Sequence, residues 1–385
     1  VLYRIYDKED YGTLGLYVAI LGVVGVFSTM QYTQAILIAK EDEEAKKVLW
    51  LNRFINIAFT IFSILIVLIL GQHIGGWLGN PKVNTWLWLL PVSIFFSGQN
   101  QIYRTWANRK KHYKLLSLNS ILLAVLIPIV SISVGIFNNG PLGLFLGLAV
   151  SQVVPPIILY FALNKSQNLV INRINFDDMK SIGLKYINLP KFSTPAEFLN
   201  RFSNQLPVFM ISTYAGPSTV GVYNLSVRML GLPVQLISSA IAEVFRQRAT
   251  EDFNITGSCR DIFVKTAKSL TYLSIIPLIV LLFYAPDLFA FVFSENWRQA
   301  GVFAQILALF YAFKFVVSPL TFLFVLRDRL KEDMLWHIWM LLSTAVVFII
   351  GFKVFNDINL SLGLFTINYI IIYLIYLIRS YQFTT

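Results

Sequence analysis

Eleven apolar stretches separated by short polar loops constrain this chain more than any other feature. They lie at approximately 12–39, 48–70, 85–103, 115–137, 142–163, 192–214, 220–245, 270–293, 302–326, 335–355 and 360–378. An α-helix needs about 20 residues to cross a hydrocarbon core of ~30 Å, and each stretch is near or above that length. Of the 385 residues, 56% are hydrophobic and 13% charged, where a soluble domain carries about 25% charged residues. The expected fold class is an all-α polytopic membrane protein, with most of its surface solvated by lipid.

The net charge of +11 invites a nucleic-acid reading, but the basic residues do not share one face. The loops Lys40 to Arg53, Arg104 to Lys114, Lys165 to Lys191, Arg246 to Lys268, Arg327 to Lys331 and the tail at Arg379 hold 23 of the 31 lysines and arginines. The intervening loops hold almost none. Short basic loops stay on the cytoplasmic side. The carboxyl-terminal tail is therefore expected in the cytoplasm and Tyr3–Tyr11 outside, with no nucleic-acid partner. The longest connection divides the chain into an N-terminal helical lobe (1–164), a cytoplasmic linker (165–191) and a C-terminal helical lobe (192–385). In the linker, Phe176, Met179, Ile182, Gly183, Tyr186 and Ile187 recur at helical spacing between Lys180 and Lys185. That pattern predicts an interfacial amphipathic helix; the plainer alternative is a linker with incidental periodicity.

A weak internal repeat relates the halves. A shift of 209 residues places Gly12, Leu16, Val18, Leu21 and Gly22 on Gly221, Leu225, Val227, Leu230 and Gly231. Four spans follow this helix in each half, but a span precedes it only in the second. The expectation is that a first helix is missing before Val1, giving 5 + 6 spans here and 6 + 6 in the complete protein, in parallel repeat.

Charge inside the spans is the next signal. The helices predicted at Phe192–Tyr214 and Val220–Phe245 meet at the turn Ala215-Gly216-Pro217-Ser218, and each carries an arginine near mid-depth, Arg201 and Arg228. An ionised side chain at that depth is costly and normally faces protein or a wet cavity. At 100° per residue, Ser193, Glu197, Asn200, Arg201 and Asn204 share one face of the first helix. Asn224, Arg228, Gly231, Gln235 and Ser239 share one face of the second. These stripes are expected to line a water-accessible cavity; the alternative is a bundle core whose polar groups simply pair. Glu197 stands four residues before Arg201 and is placed to pair with it. Arg228 has no acid at that spacing. Asn52, Asn56, Thr60 and Ser63 form a stripe beside Arg53, and Ser93, Ser97, Asn100 and Gln101 form one with Arg104. Both arginines are near helix ends, where snorkelling to the surface competes with a cavity role. Lys314 lies deeper, with Tyr311 and Ser318. Pro207, Pro233 and Pro319 sit inside their helices, each freeing a carbonyl and permitting a bend.

The deep charges are mainly cationic, so such a cavity should attract an anion. Arginine binds phosphate through two parallel hydrogen bonds. The candidate substrate-binding groups are Arg201, Arg228, Lys314, Asn204, Asn224, Gln235, Arg53 and Arg104, with Glu197 the candidate for ion coupling. The single cysteine, Cys259, excludes an intrachain disulfide or thiolate cluster. His73, His112 and His337 are scattered, and no HExxH, CxxC or GxxxxGK[ST] pattern occurs. No metal, no cofactor and no nucleotide hydrolysis are expected.

Glu9-Asp10-Tyr11-Gly12 with Tyr32, Ala35 and Ile36 resembles the second helix of a known family. Trp106-Ala107-Asn108-Arg109-Lys110-Lys111-His112-Tyr113 resembles its fourth cytoplasmic-side boundary, and Val220-Gly221-Val222-Tyr223 with Arg228, Pro233, Ile241, Val244 and Phe245 resembles its eighth helix. A further block is Ala285-Pro286-Asp287-Leu288-Phe289 with Phe293 and Trp297-Arg298-Gln299-Ala300-Gly301. In this order and spacing the chain resembles the O-antigen type oligosaccharide flippases of the multidrug/oligosaccharidyl-lipid/polysaccharide exporter superfamily. It departs from many members at Ser294, where they have glycine. The resemblance implies two helical lobes around a central cavity. It also implies a substrate, an oligosaccharide on undecaprenyl pyrophosphate, turned across the bacterial inner membrane by alternating access. Arg228 matches a position of the family's motif; Arg201 and Lys314 rest on the cavity reasoning. Partners implied are the lipid-linked oligosaccharide, the bilayer, and glycan polymerase and chain-length proteins. The chain is expected not to be an enzyme. A drug or cation exporter of the same fold would want acidic and aromatic cavity residues. A membrane glycan polymerase would want a sizeable outer loop with catalytic groups, and the outer loops here are short.

Overall fold

The computed structural model describes residues 1–138, 140–167, 176–327 and 329–385. The fold among these residues is all-helical, and the chain divides into two compact units. Unit one is Val1–Gln205 with Gly216–Ser218; unit two is Leu206–Ala215 with Thr219–Thr385.

Unit one contains α1 (Lys8–Val24), α2 (Asp42–Trp77), α3 (Leu90–Arg109), α4 (Tyr113–Gly135), α5 (Leu142–Gln167) and α6 (Phe176–Lys185). A capping box opens α1: the backbone N–H of Asp7 donates to Asp10, and Asp7 accepts in return. The expected continuous span 12–39 is broken. After α1 a 3₁₀ turn runs Gly25–Ser28, then Met30 and Gln31 take φ of 43° and 58°. A separate short helix, Thr33–Ile38, follows. Two consecutive left-handed residues cannot continue a right-handed helix. Arg109 closes the end of that short helix: its guanidinium donates to the carbonyls of Ile36 (2.8 Å) and Ala39 (2.7 Å) and to Asp42 (3.0 Å). The acids Asp42, Glu43 and Glu44 open α2, where the helix dipole favours negative charge.

The linker periodicity corresponds to α6, with residues 168–175 and the Phe176 side chain outside the described residues. Ile182 is buried with Val48, Leu49, Trp106 and Leu163. The Tyr32 hydroxyl donates to the Gly183 carbonyl (2.9 Å), Lys47 pairs with Asp178 (3.0 Å), and Glu44 accepts from Tyr186 (2.9 Å) and Lys185. Leu184 and Ile187 stay exposed on the other face.

Helix α7 (Thr194–Pro233) contributes residues to each unit and is bent at Gly216, whose φ of 79° and ψ of 173° suit only glycine and split α7 into two arms. Its second arm ends in a π-helical turn, Val234–Ser238. Unit two continues with α8 (Ser239–Thr256), α9 (Arg260–Phe293), α10 (Arg298–Val317), α11 (Leu330–Ile350) and α12 (Ile358–Gln382). Helices α9 and α10 approach closely: a Cβ on Gly301 would lie 2.4 Å from the Ala285 carbonyl oxygen. Phe310, Phe348, Phe365, Tyr369 and Tyr373 form an aromatic core where α10, α11 and α12 meet.

Among the described residues nine helices are long and apolar enough to cross a membrane, where eleven stretches were expected. One of the nine, Leu189–Thr256, contains the Gly216 bend and covers two of the expected stretches. Helix α3, over the expected 85–103, is not among the nine: Ser93, Ser97, Gln99, Asn100, Gln101 and Arg104 lower its hydropathy. The prolines act as expected at two places: Pro233 precedes the π turn, and Pro319 lies in a 3₁₀ turn, Ser318–Thr321. Pro207 is accommodated within α7.

Candidate functional site

The second arm of α7 is oriented by its buried face. Val222, Leu225 and Ser226 are buried, and the Ser226 hydroxyl donates to the Ala300 carbonyl of α10 at 2.6 Å. Residues three or four apart share a helix face and residues two apart do not. Ser226 packed inward therefore turns Arg228 outward. Arg228 is exposed, and among the described residues it has no hydrogen bond or ion pair. Asn224 is half-buried and Gln235 exposed, the latter inside the π turn.

Lys314 lies in the same unit, on α10. It is half-buried, and its Nζ stands 5.5 Å from the ring centroid of Tyr311 and 5.8 Å from that of Phe310. A cation over aromatic faces gains electrostatic attraction without being neutralised. Among the described residues no carboxylate pairs with it. Close by, Thr344 donates to the Tyr369 hydroxyl (3.3 Å) and Asn368 to Ser343 (3.0 Å). Tyr311, at i−3 from Lys314, was singled out from the sequence; Phe310 at i−4 and the groups on α11 and α12 were not.

Arg201 and Glu197 close on each other in unit one, Nε to Oε1 at 2.6 Å, with the arginine side chain 56% exposed. Asn204 donates to the backbone carbonyl of Asn200 at 2.8 Å and to its side chain at 3.1 Å. This stripe is thus satisfied within its own helix.

Arg53 and Arg104 are engaged with neighbouring helices. The Arg53 guanidinium stacks 4.4 Å from the Trp50 ring centroid and 5.7 Å from that of Tyr160 on α5, with its buried Nε unpartnered. Arg104 donates to Asn119 (2.8 Å) and Ser120 (3.0 Å) of α4, and Asn119 donates on to Asn100 (2.9 Å). Gln99, absent from the sequence-derived stripe, is buried and donates to Asn56 at 2.8 Å. No cluster of His, Cys, Asp and Glu among the described residues could hold a metal ion.

The family described as "Polysaccharide biosynthesis protein" matches residues 1–301. An uncharacterised membrane protein in the cps region of Klebsiella pneumoniae is 21% identical over 86% of this chain and 67% of its own length. The teichuronic acid biosynthesis protein TuaB of Bacillus subtilis is 20% identical over 80% and 62%. The succinoglycan biosynthesis transport protein ExoT of Rhizobium meliloti is 21% identical over 63% and 48%. The chain thus spans between about half and two thirds of these relatives. Among solved structures, the lipid II flippase MurJ in an inward closed conformation aligns with TM-score 0.76 and 16% identity, over 99% of this chain and 84% of that one. An inward-facing multidrug resistance MATE family transporter of the MOP superfamily aligns with TM-score 0.73 and 14% identity, over 99% and 93%. At such identities these two likenesses are of fold.

Proposed function

This chain belongs to the polysaccharide biosynthesis protein family, and we propose that it is a flippase, turning an undecaprenyl-pyrophosphate-linked oligosaccharide across the bacterial inner membrane by alternating access. It is a transporter and not a catalyst. The observation that carries this reading is Arg228: a guanidinium within a membrane-spanning segment, exposed and unpaired among the described residues, on a helix whose opposite face is bonded to α10. A free guanidinium in a span is costly unless it meets water or an anion, and a pyrophosphate offers oxygens for both its donor edges. Lys314 supplies a second cation, half-buried beside the rings of Phe310 and Tyr311.

The lobes are read as 1–164 and 192–385, joined by the 165–191 linker, with the carboxyl-terminal tail cytoplasmic by the placement of basic loops. Arg201, Asn204, Asn224 and Gln235 are read as polar contacts along the head group's path. Arg53 and Arg104 are read as holding helices together. Glu197, paired with Arg201, is read as the candidate for ion coupling. Glycan polymerase and chain-length proteins are the proposed partners downstream.

Arg228→Ala is expected to abolish surface glycan while the protein still inserts at normal abundance. Normal surface glycan in that variant would overturn the assignment. A drug exporter shares the fold, as the MATE transporter's likeness indicates; unchanged drug susceptibility in a deletion strain separates the two.

A further inference from the structure

A crevice of about 370 Å³ lies within unit two, between the end of α7, α9 and α10. Leu230, Pro233 and Ile237 form one wall, Pro277 and Leu278 the other, and Phe315 the floor. Its size falls within the ~300–1,000 Å³ of small-molecule sites. Two prolines explain why the helices part here. Pro233 has no backbone N–H, and the helix widens into the π turn Val234–Ser238 directly after it. The Ser238 hydroxyl then donates to the Phe315 carbonyl at 2.9 Å, holding the far end of the turn on α10. Pro277 lies inside α9 opposite, where it removes one backbone N–H from the helix ladder.

The crevice and the cation lie on opposite faces of one helix. At 100° per residue, Leu230, Pro233, Val234 and Ile237 share a face, and Asn224, Arg228, Gly231 and Gln235 share the reverse. A helix is about 10–12 Å across with its side chains. At about 1.5 Å rise per residue, Leu230 to Ile237 lie roughly 3–14 Å along the axis beyond Arg228, on the reverse face.

That short axial distance bears on which chain the crevice seats. All three walls belong to membrane-spanning segments, so hydrocarbon chains are what reach them. Moving a chain from bilayer to crevice gains no hydrophobic free energy, and selection rests on contact packing and on which chain is delivered. An ordinary phospholipid keeps its phosphate at the bilayer surface. A lipid whose phosphate is drawn to Arg228 brings the first units of its own chain to this depth. We propose that the crevice seats the phosphate-proximal isoprene units of the lipid-linked substrate. The proposal rests on the reading that Arg228 takes the head group.

The test uses the full chain in nanodiscs and an undecaprenyl phosphate bearing a diazirine in its first isoprene units, with crosslinks mapped by mass spectrometry. Labels are expected on the segments 229–237 and 273–281, competed by unlabelled undecaprenyl phosphate and not by phosphatidylglycerol. Filling the crevice with Ser274→Phe or Ala312→Phe should abolish those labels. Ile276→Phe, which adds the same ring at an exposed position outside the crevice, should keep them. The two filling variants lie on different helices, and each is checked for an unchanged melting temperature. Labels elsewhere, equal competition by phosphatidylglycerol, or labels that survive both fillings would overturn the proposal. The two readings fail separately. Filled variants that still translocate while Arg228→Ala does not would sink the crevice alone. Normal translocation by Arg228→Ala would sink the head-group reading.

Discussion

At the scale of single residues, what matters is which charges already have partners. Arg201 has Glu197, Arg104 has Asn119 and Ser120, and Arg109 has two carbonyls and Asp42. Arg228 has none of these among the described residues, so its charge is available to a ligand. A hydrogen bond to a charged group contributes roughly 1.5–3 kcal/mol, about one to two orders of magnitude in affinity. Arg228→Lys keeps the charge but loses the two-pronged geometry. It is expected to retain part of the glycan export that Arg228→Ala loses, measured as surface glycan per inserted protein. Glu197→Gln is expected to make export insensitive to the ion gradient, as read by export before and after an ionophore. Unaltered gradient dependence would leave Glu197 as a partner for Arg201 and nothing more. The Glu197–Arg201 pair was readable from the spacing i, i+4. The tie between Arg104 and Asn119 was not, because it joins two helices 15 residues apart in sequence, and no local pattern records it.

At the scale of elements, apolar length marked the spans and proline marked two distortions. It did not mark where a helix stops inside an apolar run. Met30 and Gln31 break the helix within the expected span 12–39, inside the polar run Ser28 to Gln34 that an apolar-length count passes over. Length did mark α3, as the stretch 85–103, but not that its polar residues bond across to its neighbours, as Gln99 does to Asn56. The contact of Gly301 with the Ala285 carbonyl is a property of two packed helices. Gly301→Val is expected to destabilise unit two by about 1–3 kcal/mol through overpacking, seen as a lower unfolding temperature in detergent. The docking of α6 is equally tertiary. The Glu44 carboxylate beside Lys185 raises that amine above its ordinary value of 10.5. The same contact holds the Glu44 carboxyl below its ordinary range, so the pair is present at neutral pH and is lost as pH rises past the amine's raised value or falls past the carboxyl's lowered one. Glu44→Gln should speed amide exchange across 176–185 at pH near 7, while a shift from pH about 6 to about 8 in the wild type should not.

At the scale of the molecule, the family and the all-helical membrane fold were legible because both are written in long patterns: eleven apolar stretches, alternating basic loops and motifs spread over much of the chain. Translocation itself is a property of the whole protein, and it is most directly read in proteoliposomes holding the purified chain and a lipid-linked oligosaccharide. Wild type and Arg53→Ala are expected to move the glycan to the opposite leaflet, and Arg228→Ala and Lys314→Ala are expected not to. Equal translocation by all four proteins would contradict the claim that these two cations receive the anionic head group.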